Sequence, residues 1–214
     1  MAQKVIYRGG EGEITEKKSR FIATVRSVHS EEEAAAFIAE MKKKYWDARH
    51  NCSAYIIGQR QEIQRFSDDG EPQGTAGKPM LDVLAGAQLH DCAVVVTRYF
   101  GGILLGTGGL VRAYSKAVQE GLKNCTVIEK LSGRKLVIGT DYNGVGKLQY
   151  LLGQREIPVV EAQYSDVVKT TVLVQEEKAD ELLAAVTEAT NGKAVWEEEK
   201  GVSFAFVGKE PVLF

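Results

Sequence analysis

The chain has 214 residues, enough for one large domain or two small ones, and its 44% hydrophobic and 26% charged content is typical of a soluble globular protein. A net charge of −2 does not by itself indicate nucleic-acid binding, and we see neither a membrane helix nor a signal peptide. Three widely spaced cysteines argue against a disulfide framework, so we expect a cytoplasmic protein.

The N-terminal part of the chain predicts a hairpin, a helix and a second hairpin. Residues 11–16 and 20–28 alternate enough to form two antiparallel strands around a polar turn. Ser30 and Glu33 form a capping box for a helix that runs to about Tyr45. The lysines at 42–44 suit a helix C-terminus, although a nucleic-acid patch is an alternative. Strands are then predicted at 52–57 and 63–66.

The segment from Phe66 to Lys116 predicts a loop, a helix, a strand, a second loop and a second helix. Pro79 fits the first position of the first helix, and residues 93–100 are β-branched and aromatic, as in a buried strand. Five glycines crowd the second loop and the start of the helix near Thr107. Glycine is used where the backbone needs a positive φ or must come close to another group. Glycine-rich loops on both sides of one helix–strand unit therefore indicate a role besides turning the chain.

Beyond residue 131 the order of elements changes to β-α-β-β-α-β, which is that of a ferredoxin-like unit. Strands are predicted at 135–140, 158–164, 168–175 and 202–207, with helices at 143–155 and 176–190. We therefore predict one domain at 1–130 and another at 131–214. The first carries 18 basic and 16 acidic residues, the second 9 and 13, so an anionic partner should meet the first domain.

The glycine loop at 101–109 could cradle a phosphate at a helix N-terminus. It matches neither nucleotide motif, however, because Val111 replaces the third glycine of G-x-G-x-x-G, and Pro79 follows Gly77-Lys78 where a P-loop has Ser or Thr. Tight turning and strand–helix packing explain the glycines equally well, and both interpretations stay open.

Cationic and aromatic side chains surround this loop. Arg112 and Lys116 lie one turn apart on the second helix without nearby acidic relief, which indicates either a binding stripe or a solvated face. Arg98 and Tyr99 end the buried strand, where open sheets present functional side chains. Arg98 could reach a phosphate, and Tyr99 or Phe100 could stack on a base, unless both aromatics belong to the core.

The acidic loop offers an alternative, enzymatic hypothesis. Asp68, Asp69 and Glu71 could hold Mg²⁺, and His50 could act as a base on a small phosphorylated or nucleotide substrate. Ordinary turn chemistry also explains these acidic residues. We find no catalytic triad, no complete metal-ligand set and no complete cofactor motif, so we expect no metal or cofactor.

The motifs at residues 66–79, 96–102 and 105–114 together resemble the signature of the IMPACT/YigZ family, and residues 49–52 resemble its upstream block. The resemblance covers nearly the whole chain. It implies an α+β fold of two domains. The first would be a βα sandwich like domain 2 of ribosomal protein S5, and the second a ferredoxin-like domain like domain V of elongation factor G.

The resemblance also implies a link to translation. Eukaryotic relatives bind the activator of a stress kinase, and they carry an N-terminal RWD module that we do not find in this chain. The resemblance therefore supports contact with RNA or the ribosome more strongly than it supports that regulatory role. We therefore expect a non-enzymatic, translation-associated protein that binds RNA, the ribosome or a translation factor. A regulatory protein partner is the other possibility. The candidate binding residues are Arg49, His50, Ser67, Asp68, Asp69, Glu71, Thr75, Lys78, Arg98, Tyr99, Gly101, Gly102, Thr107, Gly108, Arg112 and Lys116.

Overall fold

A computed structural model describes residues 2–208 and 210–214, and the chain divides into two compact units. The first unit is Gln3–Ile128 and the second contains Glu129–Phe214. Both units combine sheets with helices, so the predicted two-domain α+β fold class is confirmed. Among the described helices, none has the length and apolar character needed to cross a membrane.

Up to the boundary, each helix is preceded by two or three consecutive strands. They are β1 (Gln3–Arg8), β2 (Gly10–Glu16), β3 (Ser19–Ser27), α1 (Glu31–Lys44), β4 (His50–Ile57), β5 (Ile63–Ser67), α2 (Gly77–Gly86), β6 (Leu89–His90), β7 (Cys92–Tyr99) and α3 (Thr107–Lys123). The remaining elements are β8 (Thr126–Thr140), α4 (Tyr142–Gln154), β9 (Val159–Tyr164), β10 (Val168–Gln175), α5 (Glu176–Ala189), β11 (Val195–Val207) and β12 (Glu210–Leu213).

The first unit is built in three layers around a five-stranded antiparallel sheet of order β2-β3-β7-β4-β5. Helices α2 and α3 pack on one face and α1 packs on the other. The central strand β7 is buried on both faces, because its side chains alternate between the two helical layers. Val94 and Val96 point to α2 and α3, while Ala93 and Val95 point to α1.

The second unit has the predicted ferredoxin-like order. Strand β8 pairs with β10 on one side and β11 on the other, and β9 pairs with β10, all antiparallel. Helices α4 and α5 pack on this sheet around a core that contains Leu136, Leu148 and Leu182.

Most element bounds lie close to the predicted ones, and the differences have local causes. Helix α2 begins at Gly77, so Pro79 occupies its third position and not its first. Asp141, and not Asn143, caps α4 by accepting from the Gly144 amide at 2.7 Å. Strands β8 and β11 begin well before the predicted positions, and β1, β6 and β12 were not predicted. These short or edge strands carry a weak periodic signal.

Candidate functional site

The two loops of the sequence prediction meet at one end of the first unit. We call residues 68–76 the acidic loop and residues 100–106 the glycine loop. Glu71 and Pro72 from the acidic loop and Phe100, Leu104 and Leu105 from the glycine loop line one cavity of about 380 Å³, the loop cavity. Arg49, His50, Arg98, Thr107 and Leu110 complete much of its lining.

A second cavity of about 270 Å³, the helix cavity, lies along α3 and shares Leu105 with the loop cavity. Arg112 and Lys116 line it, together with Glu16 at the end of β2 and Lys17 from the turn between β2 and β3. Both α3 cations are exposed, and within the described residues neither takes part in an ion pair. The two cavities together form what we call the groove. Three cations and one carboxylate line the helix cavity, and apolar side chains form much of the loop cavity.

Arg98 is not the free cation that the sequence suggested. It lies in register with Phe21 of β3 and His50 of β4, and strand periodicity places it on the same face as the core residue Val96. Its side chain is only 7% exposed, and Nη1 donates to Glu71 Oε1 at 2.6 Å. Arg98 therefore lines the loop cavity as half of a buried ion pair, and the expectation of a freely exposed Arg98 is wrong.

The ion pair is the centre of a buried polar network. The Tyr114 hydroxyl donates to Glu71 Oε1 at 2.8 Å, and Cys52 Sγ lies 3.3 Å from that hydroxyl and 3.0 Å from the Asp68 carbonyl oxygen. Arg98 Nη2 lies 3.4 Å from Ser19 Oγ. The network joins the acidic loop, the sheet and α3, and so fixes the relative positions of the groove walls.

Burial changes the chemistry of the thiols on this sheet. It raises the pKa of Cys52 and of Cys92 from an ordinary 9.0 to about 12. At Cys52 the hydrogen bond with Tyr114 lowers the pKa and so offsets part of this effect. A thiolate at Cys52 is therefore disfavoured near neutral pH. This makes Cys52 a poor candidate for a nucleophile.

Alkaline pH should destabilise the fold through these thiols. A pKa that is raised in the folded state gives a stability contribution that is present below pH 9 and lost as pH rises towards 12. From pH 8 to pH 10 we expect a loss of about 1.4 kcal/mol for each thiol. Urea unfolding at both pH values measures it. Cys52→Ser should make the fall in the free energy of unfolding between pH 8 and pH 10 smaller by the contribution of one thiol. An unchanged fall would contradict a raised pKa at Cys52.

The carboxylates of the acidic loop, which the alternative hypothesis assigns to a metal, are held by protein donors. Asp68 accepts three backbone amides of its own loop and of α2, from Gly74, Ala76 and Gly77, at 2.8 to 3.0 Å. Asp69 accepts from the Asn51 amide at 2.7 Å and pairs with Lys42 at 2.6 Å, while Glu71 is held by Arg98. In the described part of the chain, no three His, Cys, Asp or Glu side chains cluster as metal ligands.

Asp68 instead organises the loop and the start of α2. Asp68→Ala leaves the three amides without their acceptor, and we expect the free energy of unfolding to fall by about 2 kcal/mol. Asp82→Ala, which removes an exposed carboxylate from α2, should change it by about 0.5 kcal/mol or less. Urea unfolding compares the two. Equal effects of both substitutions would contradict the role given to Asp68.

The glycines of the second loop serve two different purposes. A Cβ on Gly101 would lie 2.0 Å from the Lys18 backbone carbon, so Gly101 is required for close packing on the β2–β3 turn. Gly106, which precedes α3, has a φ of +74° that favours glycine. Gly108 is different, because a Cβ there would meet only Arg112 Nη1 at 3.8 Å.

Two alanine substitutions test whether Gly101 is closely packed and Gly108 is not. Gly101→Ala should lower the free energy of unfolding by about 2 kcal/mol or more, because the backbone of the neighbouring turn must move. Gly108→Ala should leave it unchanged or raise it by about 0.5–1 kcal/mol, because alanine favours a helix. Thermal unfolding of both variants checks the contrast. A destabilised Gly108→Ala would show that this position is packed after all.

The candidate residues fall into two groups. Lining the groove are Arg49, His50, Glu71, Arg98, Thr107, Arg112 and Lys116. Outside both linings are Ser67, Asp68, Asp69, Thr75, Lys78, Tyr99, Gly101, Gly102 and Gly108. Of the second group, Thr75 donates to the Pro72 carbonyl, Lys78 pairs with Asp82, and Tyr99 donates to Asp47.

Three residues of the site, Tyr114, Leu104 and Leu105, were not among the candidate binding residues, although Leu105 and Tyr114 lie in the motif at residues 105–114. Tyr114 lies in the core of the first unit, and its hydroxyl donates to Glu71. Leu104 and Leu105 line the loop cavity, and Leu104 is 82% exposed. The signal for the leucines was present as an apolar run, Ile103 to Leu105, inside a glycine-rich loop where ordinary turn residues are polar.

Comparison with known proteins identifies the family. The model of the Impact N-terminal domain matches residues 17–122, and that of a domain of unknown function, DUF1949, matches residues 138–193. IMPACT family member YvyE of Bacillus subtilis is 46% identical over 189 residues, which cover 88% of this chain and 87% of that protein. The chain belongs to the IMPACT family. The resemblance inferred from the motifs is therefore confirmed.

Two further relatives support this IMPACT-family assignment. IMPACT family member YigZ of Escherichia coli is 38% identical over 178 residues, covering 82% of this chain and 87% of its own length. A solved structure titled "Crystal structure of an hypothetical protein" is 34% identical, covers 91% of this chain and 96% of its own, and has a TM-score of 0.60. Both loops of the groove lie inside the match to the Impact N-terminal domain.

Proposed function

We propose that this IMPACT-family chain is a non-enzymatic, translation-associated protein that binds RNA, free or in the ribosome, through the groove of its first unit. The observation that carries the proposal is the meeting of the two loops at a cavity that continues past Leu105 to two unpaired cations, Arg112 and Lys116. The resemblance of the family to translation proteins supports the association with translation.

The chemistry of the groove suits an anionic strand better than a reaction. Helix α3 begins at Thr107 with no side-chain cap and no acidic residue in its first turn, so its amides and its dipole favour an anion. Arg49 adds an exposed cation at the other side of the loop cavity. The acidic residues that a hydrolase would use are already bound to protein donors.

Salt dependence of RNA binding tests the proposal. We would measure binding of the full chain to purified ribosomes and to a ribosomal RNA transcript at salt concentrations from about 50 to 200 mM. Three phosphate contacts to single-stranded RNA predict a slope of log K against log salt of about −2. No binding, or binding to ribosomes that persists after nuclease digestion of exposed RNA and does not depend on salt, would contradict it and indicate a protein partner.

A further inference from the structure

We propose that the loop cavity holds one unstacked nucleotide of the bound RNA strand, with its base against Phe100 and Leu104 and its phosphate at the first turn of α3. The inference rests on the proposed function and adds to it a preference for single-stranded RNA. It concerns the half of the groove that is not lined by the α3 cations.

The apolar side of the cavity provides the surface for a base. Phe100 is 44% exposed and Leu104 is 82% exposed, so neither contributes fully to the core. Both line the cavity beside Pro72 and Leu110. The Arg98 guanidinium carbon lies 5.6 Å from the centre of the Phe100 ring, on one of its faces. The exposed part of the ring, beside aliphatic side chains, is a surface on which a base can stack, because every base has a π face and an apolar surface.

The start of α3 provides the place for the phosphate. Gly106 and Thr107 line the cavity, and the first amides of α3 have no side-chain acceptor. Gly108 leaves open space around the first turn, with nothing but Arg112 Nη1 within 4 Å of an added Cβ. A phosphate oxygen can therefore approach these amides without displacing protein atoms.

Arg98 gives a second, independent indication of a ligand. It lines the same cavity, its side chain is 93% buried, and its Nε has no hydrogen-bond partner in the described chain. A buried guanidinium nitrogen without an acceptor is unusual in a folded protein. Nε is covered, and an oxygen of the nucleotide would satisfy it once the Phe100 side chain over the guanidinium shifts to meet the base, while Glu71 keeps Nη1 in place.

The size of the cavity limits what can enter. A volume of about 380 Å³ is at the small end for ligand pockets and suits one nucleotide. A base that remains paired in a duplex cannot reach Phe100, because stacking on a side chain requires the base to leave its helix. The strand would then continue past Leu105 to Arg112 and Lys116, which are separated by about 6 Å along α3.

Phe100→Leu in the full chain tests the inference, because leucine keeps apolar volume but removes the aromatic face. The probes are a short single-stranded RNA carrying one 2-aminopurine and its duplex. For the wild type we expect at least tenfold tighter binding of the single strand, and a rise in 2-aminopurine fluorescence at one position as that base leaves its stack. Phe100→Leu should weaken binding by fivefold or more with an unchanged salt slope, because no phosphate contact is lost.

Tyr7→Leu is the matched control, since Tyr7 and Phe100 are both 44% exposed and Tyr7 lies outside the groove. It should bind RNA like the wild type. Salt-dependent RNA binding that is unaffected by Phe100→Leu, or equal for single strand and duplex, would overturn this inference and leave the proposed function intact. Absence of RNA binding by the wild type would overturn both.

Discussion

Replacing Glu71 by alanine is expected to lower the free energy of unfolding of the first unit by about 3–5 kcal/mol. The side chains of Arg98 and Glu71 are 7% and 3% exposed, so the substitution leaves a guanidinium charge buried without its partner. It also removes the acceptor of the Tyr114 hydroxyl. Urea unfolding measures the loss, and hydrogen exchange of the β7 amides assigns it to the first unit.

Two further variants show whether the effect belongs to the ion pair. The double variant Glu71→Met/Arg98→Met should recover most of the loss, because apolar side chains of similar size often replace a buried pair at little cost. Lys123→Ala, which breaks an exposed pair with Glu120, should change stability by about 0.5 kcal/mol or less. If Glu71→Ala lowered the free energy of unfolding by less than about 1 kcal/mol, the ion pair would be exposed to solvent and its network would contribute little to stability.

Removal of the two α3 cations should have the largest effect on binding. Each of Arg112 and Lys116 would contribute a hydrogen bond to a charged group, worth roughly 1.5 kcal/mol, so Arg112→Ala/Lys116→Ala should weaken RNA binding about 100-fold. The slope of log K against log salt should fall in magnitude by about 1.4. Fluorescence anisotropy with a labelled single-stranded RNA at several salt concentrations measures both quantities.

Arg8→Ala/Arg60→Ala is the matched control for this double variant. Both arginines are exposed cations of the first unit, and both lie at the end of the sheet away from the groove. Arg60 lies beyond Ile57, the last residue of β4. Arg8 ends β1 two residues before Gly10, which begins β2 and pairs with Val25 of β3. The control carries the same change in net charge. If it weakened RNA binding as much as Arg112→Ala/Lys116→Ala does, the groove would have no special role and the effect would come from overall charge.

The fold was predictable where periodicity and turn chemistry act locally. The Ser30 cap, the start of α3 at Thr107 and the ferredoxin-like order beyond residue 131 all follow from patterns within a few residues. The short strand pair β1 and β6 was not predictable in this way. Its parallel register joins Lys4 to Leu89, and neither segment is long enough to show a period of its own.

The site was predictable in position but not in the role of Arg98. The strand β7 placed Arg98 in phase with Val94 and Val96, so alternation alone indicated the core face. Its charge suggested the surface instead, and the partner that allows burial, Glu71, lies 27 positions away in a loop. A buried pair of this kind depends on how the loop folds back over the sheet, which no local pattern specifies.

RNA is proposed to bind in the groove formed by the two loops and α3. Backbone amide chemical shifts of the ¹⁵N-labelled full chain, followed during titration with a short single-stranded RNA, test it most directly. We expect the largest changes at Thr107 to Gly109, around Pro72 and at Arg112, with little change at Arg60 or in the second unit. Changes concentrated on the second unit, or on the lysines at the end of α1 without the start of α3, would contradict it.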